Sequence, residues 1–288
     1  MSIIPFYGKT KAFSSIKFLI TFLALSSQLG IQTANAQGDL FVNPKRIVFE
    51  GQKRSEEISL ANTGNDTARY IISFVQIRMT SNGEFEQITQ PDSGQYFADK
   101  YLRIFPRTVT LAPRETQIIK VQTYQKESLQ AGEYRSHLYF RAVPKQKPAG
   151  EPIQQEDSRN LSIKLTAVFG ITIPTIIRVG DNNTQVSLSD IKLETAKGTK
   201  PTVSLTINRT GNMSVYGDIN INHITPSGQT TRVGFIKGIS LYTPGKSRII
   251  KVVLSDAGAE LKSGQLEVSY TGTKESKPII FATVLHTL

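Results

Sequence analysis

A long alternation of apolar and polar residues between Asn160 and Pro174 constrains the fold more than any other feature of the sequence. A period of two is typical of a β-strand with one apolar face. Apolar side chains occupy the odd positions Leu161, Ile163, Leu165, Ala167, Phe169, Ile171 and Ile173. The pattern runs roughly twice as far as the ~5–6 residues of an ordinary strand. The segment 160–174 is therefore predicted to be one unusually long strand.

The rest of the chain from Asp39 onward resembles a series of short strands separated by turns. Turn signals such as Asn62-Thr-Gly64 recur between alternating segments, and the rhythm restarts after Val179–Asn183. Short strands spaced in this way favour β-sandwiches. We therefore predict an all-β fold of two immunoglobulin-like β-sandwich domains, over 37–179 and 180–288. The polar, proline-containing segment 144–158 is predicted to be a mobile loop within the first domain.

The amino terminus has the features of an export signal. Lys9, Lys11 and Lys17 precede the apolar run Phe18–Leu25, and the small-residue site Ala34-Asn-Ala36 follows it. This order is typical of a secretory signal peptide, with a membrane anchor as the alternative. We expect cleavage after residue 36, which would leave 37–288 as the mature, exported chain.

Composition limits the partners and the chemistry. The formal net charge is +11, of which +8 would remain after loss of the three lysines in residues 1–36. The basic residues are scattered and are not clustered with aromatic ones, so nucleic acid is not an expected partner. The chain has no cysteine, which excludes disulfides, zinc–thiolate sites and thiol nucleophiles.

Catalytic motifs are absent from the sequence. The three histidines His137, His223 and His286 lack the spacing of a metal site, and no nucleophile elbow or phosphate-binding loop occurs. We therefore predict a non-enzyme without cofactor or metal. An exported sandwich that binds glycans or surface partners is the first alternative, although tryptophan is absent and tyrosines are dispersed. A hydrolase on a sandwich scaffold is the second.

The position of the long strand leaves two interpretations open. A strand that follows a loop can lie at a sheet edge, where unpaired N–H and C=O groups are normally an aggregation hazard. A protein that pairs with another chain would keep such an edge. The alternative is an inner strand that its own sheet covers on both sides.

Four segments in this order resemble the PapD-like periplasmic pilus chaperones of the chaperone–usher pathway. They are the first strand "NPKRIVFEG", the proline-containing "RIFPRTVTLAPRETQIIKVQ", the strand "EYRSHLYFRAVP" and the long strand itself. The resemblance covers most of 39–180. Over 181–288 it rests on strand rhythm and on the segment "NRTGNMSVYGDI".

The resemblance implies a function for the long strand. It implies two immunoglobulin-like domains in a boomerang arrangement, and a periplasmic chaperone that lends this strand to an incomplete pilin or fimbrial subunit. Such donor-strand complementation is a form of strand addition, and the subunit is then delivered to an outer-membrane usher. The expected donor residues of strand 160–174 are Ile163, Leu165, Ala167 and Phe169, flanked by Leu161 and Ile171.

The family also anchors the subunit's C-terminal carboxylate with an arginine and a lysine. Arg46 matches the arginine, whereas the lysine position falls at or very near Thr172. Either Arg46 carries the anchor with help from the Thr172 hydroxyl, or another cation such as Lys45 or Arg178 takes part.

An ion-pair network between the domains is the third expected feature. Glu133 and Arg178 match two of its members, but the third, an acidic residue, has no counterpart near Tyr270–Ser276. Together with the absence of cysteine, this departure suggests a divergent member of the family. Dimerisation that caps the free strand is a further hypothesis.

Overall fold

The structure of the protein, a computed structural model, describes residues 40–144, 168–195, 198–255, 261–274 and 277–288. Within these ranges the regular structure is β, apart from two short 3-10 turns at Asp99–Tyr101 and Lys126–Ser128. The prediction of an all-β fold is confirmed. No helix in the described part of the chain has the length and apolarity needed to cross a membrane.

The first half of the described chain contributes ten strands. They are β1 (Leu40–Asn43), β2 (Ile47–Phe49), β3 (Ser55–Asn62), β4 (Ala68–Met79), β5 (Phe85–Ile88), β6 (Leu102–Phe105), β7 (Thr108–Leu111), β8 (Thr116–Thr123), β9 (Gly132–Val143) and β10 (Gly170–Val179). One sheet has the order β1-β3-β8-β6. The other has the order β2-β10-β9-β4-β5, with β7 also paired to β4.

The second half contributes seven strands. They are β11 (Gln185–Glu194), β12 (Thr202–Thr210), β13 (Val215–Ile224), β14 (Thr230–Leu241), β15 (Ser247–Val253), β16 (Gln265–Lys274) and β17 (Lys277–Thr287). The sheet β11-β12-β15 faces the sheet β14-β13-β16-β17. Each half of the chain therefore forms its own two-layer sandwich.

Alternating burial along single strands builds the two cores. In β8, Ile119 and Val121 are fully buried whereas the residues between and beside them face solvent. In β12, Val203, Leu205 and Ile207 are buried in the same rhythm. Because successive side chains point to opposite faces of a sheet, each such strand contributes one apolar face to its core. The two cores consist of separate sets of residues.

The bounds of the long strand differ from those predicted from the sequence. The described strand β10 begins at Gly170 and continues to Val179, so the predicted end at Pro174 is wrong by five residues. Residues 160–167 and almost all of the predicted loop 144–158 lie outside the described residues. Ile176 and Ile177 are both fully buried, so the period-two pattern that marks a half-exposed strand stops before the strand does.

Candidate functional site

The first part of β10 forms an open sheet edge. On one side β10 pairs with β9 along its whole length, from Gly170 opposite Arg141 to Val179 opposite Gly132. On the other side it pairs in parallel with β2, but only over Thr175–Ile177. No described strand pairs with Gly170–Pro174 on that second side. An edge of this kind can accept a strand from another chain.

The pairing with β9 determines which backbone groups point out of the edge. The Ala142 N–H donates to the Phe169 carbonyl at 3.0 Å, so the odd residues of β10 direct their backbone groups to β9. Along an antiparallel pair of strands, residues that exchange backbone hydrogen bonds alternate with residues that do not. The even residues of β10 therefore direct their N–H and C=O groups away from β9. Gly170 and Thr172 each offer an N–H and a C=O, whereas Pro174 has no N–H and its carbonyl faces β2, where the parallel pairing begins.

The apolar side chains of this strand extend from the first core into solvent. Ile173 is buried and Ile171 packs partly against the same core. Phe169, two residues earlier on the same face, is 45% exposed. The four other predicted donor residues, Leu161, Ile163, Leu165 and Ala167, lie outside the described residues.

Arg46 lies where this open edge ends. Ile47 is opposite Thr175 in the parallel pair, so Arg46, one residue earlier, comes level with Pro174. Thr172, the predicted partner of Arg46 in the anchor, is exposed and lies opposite Tyr139 on β9. The residue of β10 that is level with Arg46 is therefore a proline and not the expected lysine.

The Arg46 side chain reaches the second sandwich without a carboxylate partner. Its guanidinium donates to the Tyr242 hydroxyl at 3.4 Å and to Ser214 Oγ at 3.5 Å, and it lies 4.9 Å from the centroid of the Tyr216 ring. No carboxylate within the described ranges lies at ion-pair distance from it. Its charge is held by neutral groups alone, which suits a site that receives an anion.

Glu133 joins the two sandwiches. Its Oε2 accepts from Arg178 Nε at 3.1 Å and from Ser214, whose N–H and hydroxyl lie at 2.9 and 2.7 Å. Its Oε1 lies 3.4 Å from Thr243 Oγ1, and the carboxylate is fully buried. Arg178 Nη2 in turn donates to the Ser214 carbonyl at 2.6 Å. The structure thus brings together the predicted pair Glu133 and Arg178.

Sequence reasoning missed Ser214 and Thr243. It sought a third ionised residue, whereas the structure supplies the N–H and hydroxyl of Ser214 and the hydroxyl of Thr243. Ser214 belongs to the segment "NRTGNMSVYGDI" that the resemblance singled out. No local pattern marks a serine as the partner of a carboxylate in another domain.

A buried cationic and aromatic cluster lies beside this network. The Arg135 guanidinium lies 4.2 Å from the centroid of the Tyr242 ring, and its Nε and Nη1 find no hydrogen-bond partner among the residues that the structure describes. His137 contacts the rings of Phe85 and Tyr242, with centroids 6.1 Å apart in both cases. Burial, and then the charges of Arg135 and Arg46, lower the pKa of His137 to about 3.

This lowered pKa predicts a loss of stability in mild acid. The unfolded chain protonates His137 below about pH 6.5, whereas the folded protein keeps it neutral until about pH 3. The unfolded state therefore binds more protons in this window. As the pH is lowered, the free energy of unfolding decreases by up to ~1.4 kcal/mol per pH unit.

Urea titrations between about pH 7 and pH 4 should show this dependence of the free energy of unfolding on pH, and His137→Phe should reduce it. An unchanged slope would contradict the assignment. A substitution at His223, which bonds the Ser263 carbonyl near the surface, serves as the control.

Comparison with known proteins gives a likeness of fold. No protein-family model and no curated protein matches the chain. The YadV chaperone matches at 13% identity and a TM-score of 0.42, over 87% of this chain and 100% of its own. The class 5 fimbriae chaperone CfaA matches at 14% identity and a TM-score of 0.40, over 86% of this chain and 98% of its own.

A third match is the CsuC–CsuE complex of a chaperone and a tip adhesion subunit, from archaic chaperone–usher Csu pili of Acinetobacter baumannii. It matches at 10% identity and a TM-score of 0.42, over 84% of this chain and 98% of its own. All three of these structures contain a chaperone.

Proposed function

We propose that this protein is a periplasmic chaperone of pilus or fimbrial subunits. It holds an incomplete immunoglobulin-like subunit by pairing the open edge of β10 with it, and it passes the subunit to an outer-membrane usher. The observation that carries the proposal is the open edge Gly170–Pro174, which ends at Arg46, a cation with only neutral partners among the described residues. Export through a signal peptide over residues 1–36 is part of the same proposal.

The geometry favours one direction for the added strand. β2 occupies the same edge of β10 from Thr175 onward, so a strand added at Gly170–Pro174 must end or turn away beside Arg46. A strand parallel to β10 would bring its carboxyl end there, whereas an antiparallel strand would bring an earlier part of the chain. A guanidinium without an acidic partner favours the carboxylate. The bound segment is therefore the C-terminal strand of the subunit, in parallel with β10.

The apolar face of β10 supports the same function. Ile173 and Ile171 belong to the first core, and Phe169 continues their face out of it. An exposed apolar side chain on an open edge can enter the core of a partner that lacks a strand. Each large side chain buried in this way contributes about 1.5–3 kcal/mol, and no nucleotide hydrolysis is needed to form the complex.

Arg46→Gln tests the proposed anchor. The probe is the peptide acetyl-Lys-Thr-Val-Thr-Val-Thr-Phe, made with a free C-terminal carboxylate or with an amide. A hydrogen bond to a charged group is worth about 1.5–3 kcal/mol, so Arg46→Gln should weaken binding of the free acid by roughly tenfold or more. The amide should bind both proteins with similar, lower affinity, as measured by calorimetry.

Arg103→Gln is the matched control, because Arg103 also lies over a tyrosine ring, at 4.3 Å from the centroid for Tyr124, but on the opposite sheet. It should leave both affinities unchanged. Equal loss of the free acid and the amide in the Arg46 variant would exclude carboxylate binding by Arg46.

A further inference from the structure

Arg46 lines a cleft that carries both polar and apolar side chains. The cleft has a volume of about 600 Å³ and lies between β2 and the second sandwich. Its charged lining residues are Arg46, Arg178 and Glu50, and Arg178 is already paired with Glu133 and lies 3.9 Å from Glu50. Asn182 and Ser214 are its neutral polar side chains. Val48, Tyr216, Ile279 and Phe281 supply apolar wall. A polar anchor beside apolar walls is the usual composition of a specific ligand site.

The apolar wall is built by close packing of the second sandwich. Phe281 lies against Tyr270, with ring centroids 5.0 Å apart. A Cβ atom at Gly272 would lie 2.5 Å from the Phe281 ring and 3.0 Å from the Tyr216 carbonyl oxygen. Only glycine therefore lets the Phe281 ring cross β16 at this point. This close approach holds the ring in the wall of the cleft without a bound partner.

We propose that this cleft selects a partner chain whose last residue has an apolar side chain. The inference rests on the proposed function, because it assumes that the carboxylate of that residue lies on Arg46. The face of β10 that bears Arg178 forms part of the cleft wall. The proposal places the last side chain of a strand that ends beside Arg46 on this same face, where it lies next to the cleft. The partner is thus recognised by both a terminal charge and a terminal apolar group.

The same walls disfavour a partner whose last residue is polar or acidic. A terminal asparagine that lies against Val48, Ile279 and Phe281 would lose water at its amide there. Of the neutral polar lining residues, Ser214 already donates to Glu133, and Asn182 Oδ1 already accepts from the Thr184 N–H. A terminal aspartate would in addition bring a second negative charge close to Glu50, which also lines the cleft. A large apolar side chain would instead displace water from apolar surface.

The test compares free-acid peptides that differ only in the last residue. Acetyl-Lys-Thr-Val-Thr-Val-Thr-Phe should bind the full-length mature protein at least roughly tenfold more tightly than the same peptide ending in Asn, as expected for an apolar pocket. Ile279→Asn, which makes the wall polar, should reduce this ratio to about twofold. Calorimetry or peptide fluorescence anisotropy gives both constants.

Ile280→Asn is the matched control, since Ile280 is the next residue of β17 and is 71% exposed outside the cleft. It should keep the full preference for Phe. An equal affinity for the two peptides, or a preference that survives Ile279→Asn, would overturn the inference. The proposed function would still stand if the free acid bound more tightly than the amide. Absence of binding by every peptide up to about 1 mM would overturn both.

Discussion

Replacing Glu133 with Gln should cost the protein about 3–5 kcal/mol of its free energy of unfolding, because one partner of a buried ion pair is removed. The Glu133 carboxylate is fully buried and accepts hydrogen bonds from Arg178, Ser214 and Thr243. A neutral amide leaves Arg178 with only Glu50 as an acidic partner among the described residues, at 3.9 Å and with the Glu50 side chain 55% exposed. The amide also keeps one acceptor oxygen in place of two, so the contacts to Ser214 and Thr243 can no longer both be made to an acceptor. Urea unfolding at neutral pH measures the loss.

Glu194→Gln is the matched control for this stability effect. Glu194 pairs with Lys251 at 3.3 Å, but the side chains are 51% and 64% exposed. Exposed pairs of this kind are worth about 0–1 kcal/mol, so this variant should unfold almost like the wild type. If the two variants lost the same free energy, the contacts of Glu133 would have no special role in joining the sandwiches.

The sequence predicted the fold class and half of the strand β10 for a local reason. Side chains alternate in every half-exposed strand, so Ile171 and Ile173 could be assigned to one face without any tertiary information. The end of β10 could not be predicted in this way. Ile176 and Ile177 are buried on opposite faces, one against the first core and the other on the face that bears Arg178, and such a segment has no alternation.

The candidate site could be predicted only in part, because contacts between residues that are distant in the chain leave no local sequence pattern. Arg46, Glu133 and Arg178 were selected because their segments resemble a known family. Tyr242 and Thr243 follow β14, more than a hundred residues beyond Glu133 in the chain, and no pattern near them signals the contact. Arg135 and His137 have the sequence context of ordinary strand residues, although both are buried and lie against Tyr242 of the second sandwich, with Phe85 also beside His137.

Thr172→Pro should abolish most of the partner binding while leaving the protein folded. Thr172 directs its N–H out of the open edge, so a proline there removes a donor that β9 does not use. Proline is tolerated at such edge positions and blocks strand addition. The partner loses one hydrogen bond and keeps an unsatisfied carbonyl, together about 2–4 kcal/mol, or at least roughly a 30-fold loss of affinity.

Thr172→Ala separates the backbone from the side chain in this experiment. It removes the hydroxyl that was expected to assist Arg46 but keeps the outward N–H, so binding of the free-acid peptide should fall by less than about threefold if the backbone is what matters. A large loss with alanine would assign the role to the hydroxyl. Full binding by the proline variant, with urea stability unchanged, would show that no chain pairs with this edge, because proline cannot donate the bond that such pairing requires.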